Sequence, residues 1–341
     1  MNYWEQRANE RMAEYHKDSN KTIALINSAY DKALEDINDD IERILFTFMK
    51  RHNLSRGEAI ALMNKKISIK EIANLKDKIA RVQDEEIKAL LIAELESKAY
   101  GARISIKEAL KDSILVNIKS IATDTELILS TKQYENIIKN GYRKTVFDIQ
   151  KGLNMGFSVS DMSNKRVQEI LKQNWSGKHY SKRIWGNTDV LVEKLQKTLI
   201  NGTLTGKSTS KMLDELSNLT ECGKYAAERL IRTETTYISN QATIDGYKEC
   251  GIDKYVFVAT LDSRTSEVCR EHDGKIYEVK KAIAGDNLPP LHPHCRSTTI
   301  AYMGKEWLNS LKRRAKDPET GKSYIIKNMN YKEWEKKYVK S

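Results

Sequence analysis

Cys269-Arg-Glu-His272, nineteen further residues, then His292-Pro-His294-Cys295: this window holds half of the six histidines and half of the four cysteines in a chain of 341 residues. As a spacing it is C-x2-H-x19-H-x2-C, close to the paired-ligand pattern of a tetrahedral zinc site. Each short pair supplies two soft or borderline ligands from one turn, and a shared ion would tie together two segments distant in sequence. The spacing predicts a structural zinc held by Cys269, His292 and Cys295, with His272 as the fourth ligand and His294 in reserve. Two other readings fit the same residues. They can be ordinary side chains of a compact, loop-rich core, since free cysteine is among the most buried residue types, or Cys269 and Cys295 can form a disulfide. The opening Met1-Asn-Tyr-Trp-Glu-Gln-Arg has no apolar stretch of the kind that directs export, so a reducing compartment is expected, where a metal or free thiols prevail over a disulfide.

The sequence around the window reads as a small sheet. Tyr255-Val-Phe-Val-Ala-Thr260 is a β-branched and aromatic run bounded by Gly251 and Asp262. Lys275-Ile-Tyr-Glu-Val279 and Ser297-Thr-Thr-Ile-Ala-Tyr302 read as two more strands. A helical pattern over 223–249 precedes them. The expected unit is an antiparallel sheet beside that helix, with the candidate ligands at strand ends and in the loop rich in Gly and Pro between them.

Upstream, the texture is helical. All four prolines lie at or beyond Pro289, and the first 140 residues contain two glycines, Gly57 and Gly101. A stretch so poor in helix breakers sustains long helices. Ile23, Ile26, Tyr30, Leu34, Ile37, Ile41, Ile44 and Phe48 recur every three or four positions as one apolar face, and a second run covers about 84–99 with Ile87, Leu90, Leu91 and Leu95. Asn174-Trp175-Ser176-Gly177 marks a loop, and Trp185, Leu191, Leu195 and Leu199 carry the next helix. Asn201-Gly-Thr-Leu-Thr-Gly206-Lys207-Ser208 resembles the end of a phosphate-binding loop. However, three residues separate its glycines where that motif needs four, and no buried strand precedes it. Gly321-Lys322-Ser323 lacks a partner glycine. Both are read as turns, with Ser208 capping the helix through Met212, Leu213 and Leu216, and an NTPase is excluded. The expected fold is mainly α, a long-helical N-terminal region followed by a small α+β C-terminal domain.

Arg232-Thr-Glu234, the run Tyr255 to Thr265, Cys269, Asp273-Gly274-Lys275, and Pro289-Pro290-Leu-His292-Pro-His-Cys295-Arg296-Ser297 succeed one another in order. This succession resembles the phage head morphogenesis family, named after the F protein of phage Mu and including the minor head protein of phage SPP1. The resemblance is dense over 223–303. It is looser through Trp175-Ser-Gly and Arg183-Ile-Trp185 upstream, and through Asp317-Pro-Glu-Thr-Gly-Lys and Tyr331-Lys-Glu-Trp334 downstream. It implies a low-copy minor capsid protein without enzymatic activity, made in the host bacterial cytoplasm and placed in the virion, in the capsid interior or at the portal vertex. It further implies a role in head assembly or DNA delivery, the portal protein as partner, and major capsid or scaffolding protein as further partners. Many members carry a cysteine three residues before the position of Cys269, where this chain has Ser266, so His272 is the expected replacement ligand. The resulting division is a helical region over 1–140, a helical connector over 141–222, the F-like domain over 223–303 and a basic, aromatic-containing tail over 304–341.

The polar motif residues carry expectations too. Asp262 and Arg264 are expected to order the turn after the first strand, with the aspartate accepting backbone N–H groups; direct contact with a partner is the alternative. Arg232 and Glu234, two apart on a helix, cannot face each other and are expected to reach separate neighbours, the Asp262 turn among them. Arg296 reads as a donor to a metal-bound thiolate or as a surface charge.

Net charge is +11, a balance suited to a polyanionic partner. Residues 305–341 hold eleven Lys or Arg and five Asp or Glu, hence 11 − 5 = +6. Lys312-Arg313-Arg314-Ala-Lys316 is the densest cluster, with Trp307, Tyr324, Tyr331, Trp334 and Tyr338 interspersed. Such a mixture can neutralise phosphates and stack on bases of packaged double-stranded DNA. It reads equally as a charged helix whose aromatic residues dock on the body, and that second reading is preferred because mixed Lys and Glu are ordinary for a solvated face. No run of eighteen apolar residues exists, so no membrane-spanning helix is expected. The alternative function class is a metal-dependent nuclease in which a histidine of the cluster activates water. Two short pairs resemble a closed structural site more than the open coordination position that catalysis needs.

Overall fold

The computed structural model describes residues 3–59, 77, 79–83, 88, 101–153, 161–205, 207, 209–317, 320 and 322–339. The expected helix at 84–99 and the Ser208 cap lie outside the described residues, Lys88 excepted.

The chain is mainly helical, with its strands near the C-terminal end. Helix α1 spans Tyr3–His52. Helix α2 (Gly101–Ser120) passes through a π-helical turn (Ile121–Glu126) into α3 (Leu127–Gly152). Then come α4 (Asn164–Lys172), α5 (Tyr180–Thr205) and α6 (Thr209–Glu249). The predicted helix over 223–249 is thus the second part of a longer one that begins before Met212. The α1 stripe starts earlier than predicted. Ala8, Met12, Tyr15, Ser19, Ile23, Ile26, Tyr30, Ala33, Ile37, Ile41, Leu45 and Phe48 are buried, while Leu34 and Ile44 sit half-buried at its margin. A 3.6-residue period drifts against a repeat of three and four, so Ala33 and Leu45 take the inward positions.

Two compact units divide the chain. One comprises Ile26–Glu126 and Trp185–Ala226. It is helical, and its buried side chains include Ile26, Ile37, Ile114, Ile118, Leu195 and Leu216. Gly223 lies there on α6, where a Cβ would meet Leu191 Cδ2 at 2.7 Å and the Tyr30 ring at 3.1 Å. Close helix approach therefore requires the missing side chain.

The other unit comprises Met1–Leu25, Leu127–Ile184 and Ala227–Ser341. Its sheet contains β1 (Lys254–Val258), β2 (Ile276–Glu278) and β3 (Thr298–Ala301), ordered β2-β1-β3 with both pairings antiparallel. Central β1 is buried on both faces. Tyr255 packs with Ile149, Ile244 and Tyr247, whereas Val256 and Val258 pack with Ala8, Ile300 and Leu311. That double burial explains why β1 reads as a continuous apolar run with no alternation.

Beyond β3 lie α8 (Lys305–Ser310), β4 (Lys312–Lys316), β5 (Ser323–Lys327) and α9 (Tyr331–Tyr338). The basic cluster 312–316 is therefore a strand of a hairpin and not a helix. Its burial alternates, with Arg313 and Ala315 inward and Lys312 and Arg314 outward. A sequence of cations conceals such a period-2 pattern, because the inward arginine looks like its exposed neighbours. Docking of the aromatic residues does occur. Tyr331 and Trp334 are buried with Leu261, Ala315 and Ile326, and Tyr324 packs against them. Asn330 caps α9 in a reciprocal capping box with Glu333.

Candidate metal centre

Cys269 sits on α7 (Glu267–His272), whose N-cap Ser266 accepts a hydrogen bond from the Cys269 N–H. His292 and Cys295 close a tight turn in which the Cys295 N–H donates to the His292 carbonyl at 3.2 Å. Proline at the second position and His294 at the third, with φ of 58°, match a type II turn. The turn brings positions 292 and 295 to one side, and the His294 N–H donates to Thr233 Oγ1 at 3.1 Å. Helix α6 anchors the segment from Cys295 to Ser297. The Thr236 hydroxyl donates to the Cys295 carbonyl at 2.7 Å, and Asn240 Nδ2 donates to the Ser297 carbonyl at 3.4 Å.

The ligand atoms of Cys269, His292 and Cys295 all lie within 4.8 Å of one another. Cys269 Sγ stands 3.3 Å from His292 Nε2 and 3.6 Å from Cys295 Sγ. A disulfide would hold the sulfurs at about 2.05 Å, so these are free thiols. Two thiolates on one tetrahedral zinc at about 2.3 Å would stand roughly 3.7 Å apart, close to the spacing seen. His292 Nδ1 lies 2.7 Å from the Pro293 carbonyl. A carbonyl only accepts, so Nδ1 carries a proton and Nε2 is the ring nitrogen that faces the sulfurs, the atom that would bind a metal once deprotonated. Hydrogen bonding from Cys269 holds the Cys295 thiol well below its usual range against the effect of burial, and His292 assists. Cys269 is correspondingly raised, first by Cys295 and then by burial. Both cysteines are fully buried with Phe257 and Ala259, which suits a structural tie more than a substrate-facing centre.

His272 is not brought into this group. Its Nδ1 is 2.8 Å from the Tyr277 hydroxyl, and its ring lies over Tyr277 and Phe257 with centroids 5.9 and 5.5 Å away. His294 also stands outside the group.

The remaining motif residues form a second polar cluster. Asp262 orders its turn as expected, accepting from the Arg264 N–H at 3.1 Å and from the Thr265 hydroxyl at 3.1 Å. Its guanidinium partner is Arg296, at 2.5 and 2.8 Å. Arg296 is therefore neither a thiolate donor nor a free surface charge. Burial opposes the Asp262 charge, yet Arg296, Thr265 and the Arg264 N–H together hold the carboxyl below its usual range. Arg232 and Glu234 do not reach this turn. Arg232 pairs with Glu228 one turn earlier, and Glu234 accepts Trp175 Nε1–H at 3.2 Å while Trp175 stacks on Tyr237 at 5.1 Å.

Sequence reasoning assigned no role to Asp273 and read Arg313 as part of a surface cluster. The Asp273 side chain is fully enclosed and meets Arg313 at 2.6 and 3.0 Å. It also accepts from the Ala259 N–H and the Tyr331 N–H, each at 2.7 Å. Arg313 donates in addition to the Ala259 carbonyl at 2.6 Å and the Met329 carbonyl at 2.9 Å. One carboxylate thereby joins β1, the end of α7, β4 and α9.

Burial also moves two further titratable groups. Glu234 is pushed up to about 7 by burial, against the Trp175 hydrogen bond and the Arg183 charge. His16 is pushed down to about 4, by burial first and then by Arg232 and Arg296. The signs differ. A raised carboxyl contributes fully below its unfolded value near 4.5, and that contribution is lost as pH rises through about 7. A lowered histidine contributes above 6.5, and that contribution is lost as pH falls through about 4. Glu234→Gln is expected to match the parent at pH 5 and to be more stable at pH 8, by at most about 3 kcal/mol. Urea unfolding at the two pH values checks this, and equal stability at pH 8 would refute it.

Residues 193–300 match the family described as Phage Mu protein F like protein. This segment is similar to the phage Mu F-like family, over about a third of the chain. It contains Cys269, His272, His292, His294 and Cys295, and it leaves α1 to α4 and the hairpin with α9 outside. Two curated relatives also align. One is an NAD(+)–arginine ADP-ribosyltransferase EFV of Enterococcus faecalis, 26% identical over 196 residues, covering 54% of this chain and 39% of that protein. The other is an uncharacterised protein of Haemophilus influenzae, 25% identical over 112 residues, covering 33% of this chain and 25% of that protein. The chain thus spans well under half the length of either. No solved structure matches. Among the described residues, no helix is long and apolar enough to cross a membrane.

Proposed function

We propose that this protein is a minor capsid protein of a tailed phage, a low-copy component at the portal vertex that acts in head assembly or DNA delivery. The match of 193–300 to the phage Mu F-like family carries this reading. The portal protein is the proposed principal partner, and the exposed cations Lys312 and Arg314 of β4 are the proposed contact with packaged DNA. Within the domain, Cys269, His292 and Cys295 are proposed to hold one structural zinc, which would fix α7 to the 292–295 turn. The spacing of the two sulfurs and the position of His292 Nε2 beside them support it. The burial of both cysteines favours this over a nuclease, since a catalytic ion needs an open position facing substrate. The ADP-ribosyltransferase activity in the name of the Enterococcus faecalis relative stays with that protein, because the aligned portion is 39% of its length.

Procapsids assembled with and without portal provide the test. The protein is expected to co-purify with portal-containing particles in fewer copies than the major capsid protein and to be missing from portal-free ones. Equal incorporation into both would remove the portal assignment. Metal-dependent DNA cleavage by pure protein, lost in His292→Ala with the fold intact, would replace the structural reading with the nuclease one.

A further inference from the structure

His16 on α1 has both ring nitrogens buried without a hydrogen-bond partner. A neutral imidazole carries one donor and one acceptor, and buried polar groups are nearly always satisfied. Two bare nitrogens on one ring leave His16 able to take a water or a metal ion as a partner.

The surroundings of His16 indicate which. Met12, His16 and Ser19 share one face of α1, at intervals of four and three. Met12 Sδ accepts the Ser239 hydroxyl at 3.7 Å, and the Ser19 and Thr235 hydroxyls are 2.9 Å apart. That face therefore rests on α6 between 235 and 239. In the same stretch of α6, Thr236 holds the Cys295 carbonyl at 2.7 Å. The charged groups acting on His16 are Arg232, Arg296 and Cys295, all at this junction. The cluster of Cys269, His292 and Cys295 offers three ligand atoms, and a structural zinc site is almost always four-coordinate. His272, the candidate from spacing, is held by Tyr277.

We propose that His16 is the fourth ligand of this centre, completing a two-cysteine, two-histidine set. The inference rests on the zinc reading of Cys269, His292 and Cys295. His16 stands outside the group whose atoms lie within 4.8 Å, so coordination by it would require its side chain to move toward the sulfurs. The ion would then join the N-terminal helix to the F-like domain, a link between residues some 250 positions apart that no short motif could reveal.

Cobalt(II) titration of the full chain tests this, because thiolate charge-transfer bands report the cysteines and d–d intensity reports tetrahedral coordination. The parent is expected to bind one ion with strong d–d bands. His16→Ala should keep the charge-transfer bands and lose d–d intensity. Its affinity should fall by more than the roughly 10–100-fold that an outer-shell partner costs. Added imidazole should restore the intensity, and His272→Ala should titrate like the parent. If His16→Ala does not fold, the volume-preserving His16→Gln decides by the same readings. A parent that binds no ion would overturn the zinc site itself. A parent that binds cobalt through both thiolates, with His16 variants unchanged, would overturn only the assignment of His16.

Discussion

Arg313→Met, with Asp273 left in place, is expected to cost about 3–5 kcal/mol of stability, the usual loss when one partner of a buried ion pair is removed. The geometry supports the upper part of that range. The Asp273 carboxylate has no water-facing surface, and Arg313 supplies two of its four hydrogen bonds. Arg313 also satisfies the Ala259 and Met329 carbonyls, which methionine would leave bare. Adding Asp273→Asn should recover part of the loss, because the stranded charge is gone while an amide oxygen still serves one backbone N–H. Arg314→Ala, on the opposite face of β4, should change stability by within about 0.5 kcal/mol. The order reverses for DNA. If β4 touches phosphates, Arg314→Ala should flatten the plot of log affinity against log salt by about one unit. Arg313→Met should leave that slope alone under conditions where it is folded. Urea unfolding and salt-dependent binding to unrelated duplexes measure both. An Arg313 variant as stable as the parent would mean that the pair contributes nothing net, and equal slopes for Arg314→Ala would remove β4 as the DNA contact.

Arg313 also shows where the sequence stops being legible. Helices in the N-terminal region follow from local periodicity and the three strands from β-branched and aromatic runs, so the stripe from Ile23 to Phe48 and the run Tyr255 to Thr260 could be read directly. Of the four residues expected at the centre, Cys269, His292 and Cys295 lie together; a type II turn sets His292 and Cys295 locally, whereas their approach to Cys269 comes from the tertiary fold. The residues that were missed depend on partners remote in sequence. Arg313 lies forty residues from Asp273, Glu234 fifty-nine from Trp175, and Arg296 thirty-four from Asp262. Nothing in Lys312-Arg-Arg-Ala-Lys316 distinguishes the inward arginine except a period of two, which five residues barely define. Asp273 was visible only as part of Asp273-Gly274, a dipeptide that ordinarily signals a turn. His272 lies apart from Cys269, His292 and Cys295 for the opposite reason. Its spacing from Cys269 was suitable, but Tyr277 captures its Nδ1, and spacing carries no information about a competing partner.

If Cys269, His292 and Cys295 hold zinc as proposed, its removal should have an effect comparable to that of Arg313→Met. A structural site does not exist in the unfolded chain, so binding free energy becomes folding free energy. Free zinc at a thousand times its dissociation constant would stabilise the folded state by about 4 kcal/mol. At about 2–4 °C per kcal/mol for a unit of this size, a strong chelator should lower the melting temperature by on the order of 10 °C. Cys295→Ser should reproduce that loss and be insensitive to chelator, because its sulfur is one of the two in the cluster with His292. Cys222→Ser, at an exposed thiol outside the cluster, should melt like the parent with and without chelator. Oxidation is the confounding process. Sulfurs 3.6 Å apart need little movement to form a disulfide, which would also close the same segment and exclude the ion. The melting series therefore belongs with a thiol count under denaturing conditions. Four free thiols, stoichiometric zinc and a chelator-dependent melting temperature would establish the metal as the tie. Two free thiols, no zinc and a reductant-dependent melting temperature would put a Cys269–Cys295 disulfide in its place. Four free thiols with no zinc and no chelator effect would leave Cys269 and Cys295 as packed core residues beside Phe257.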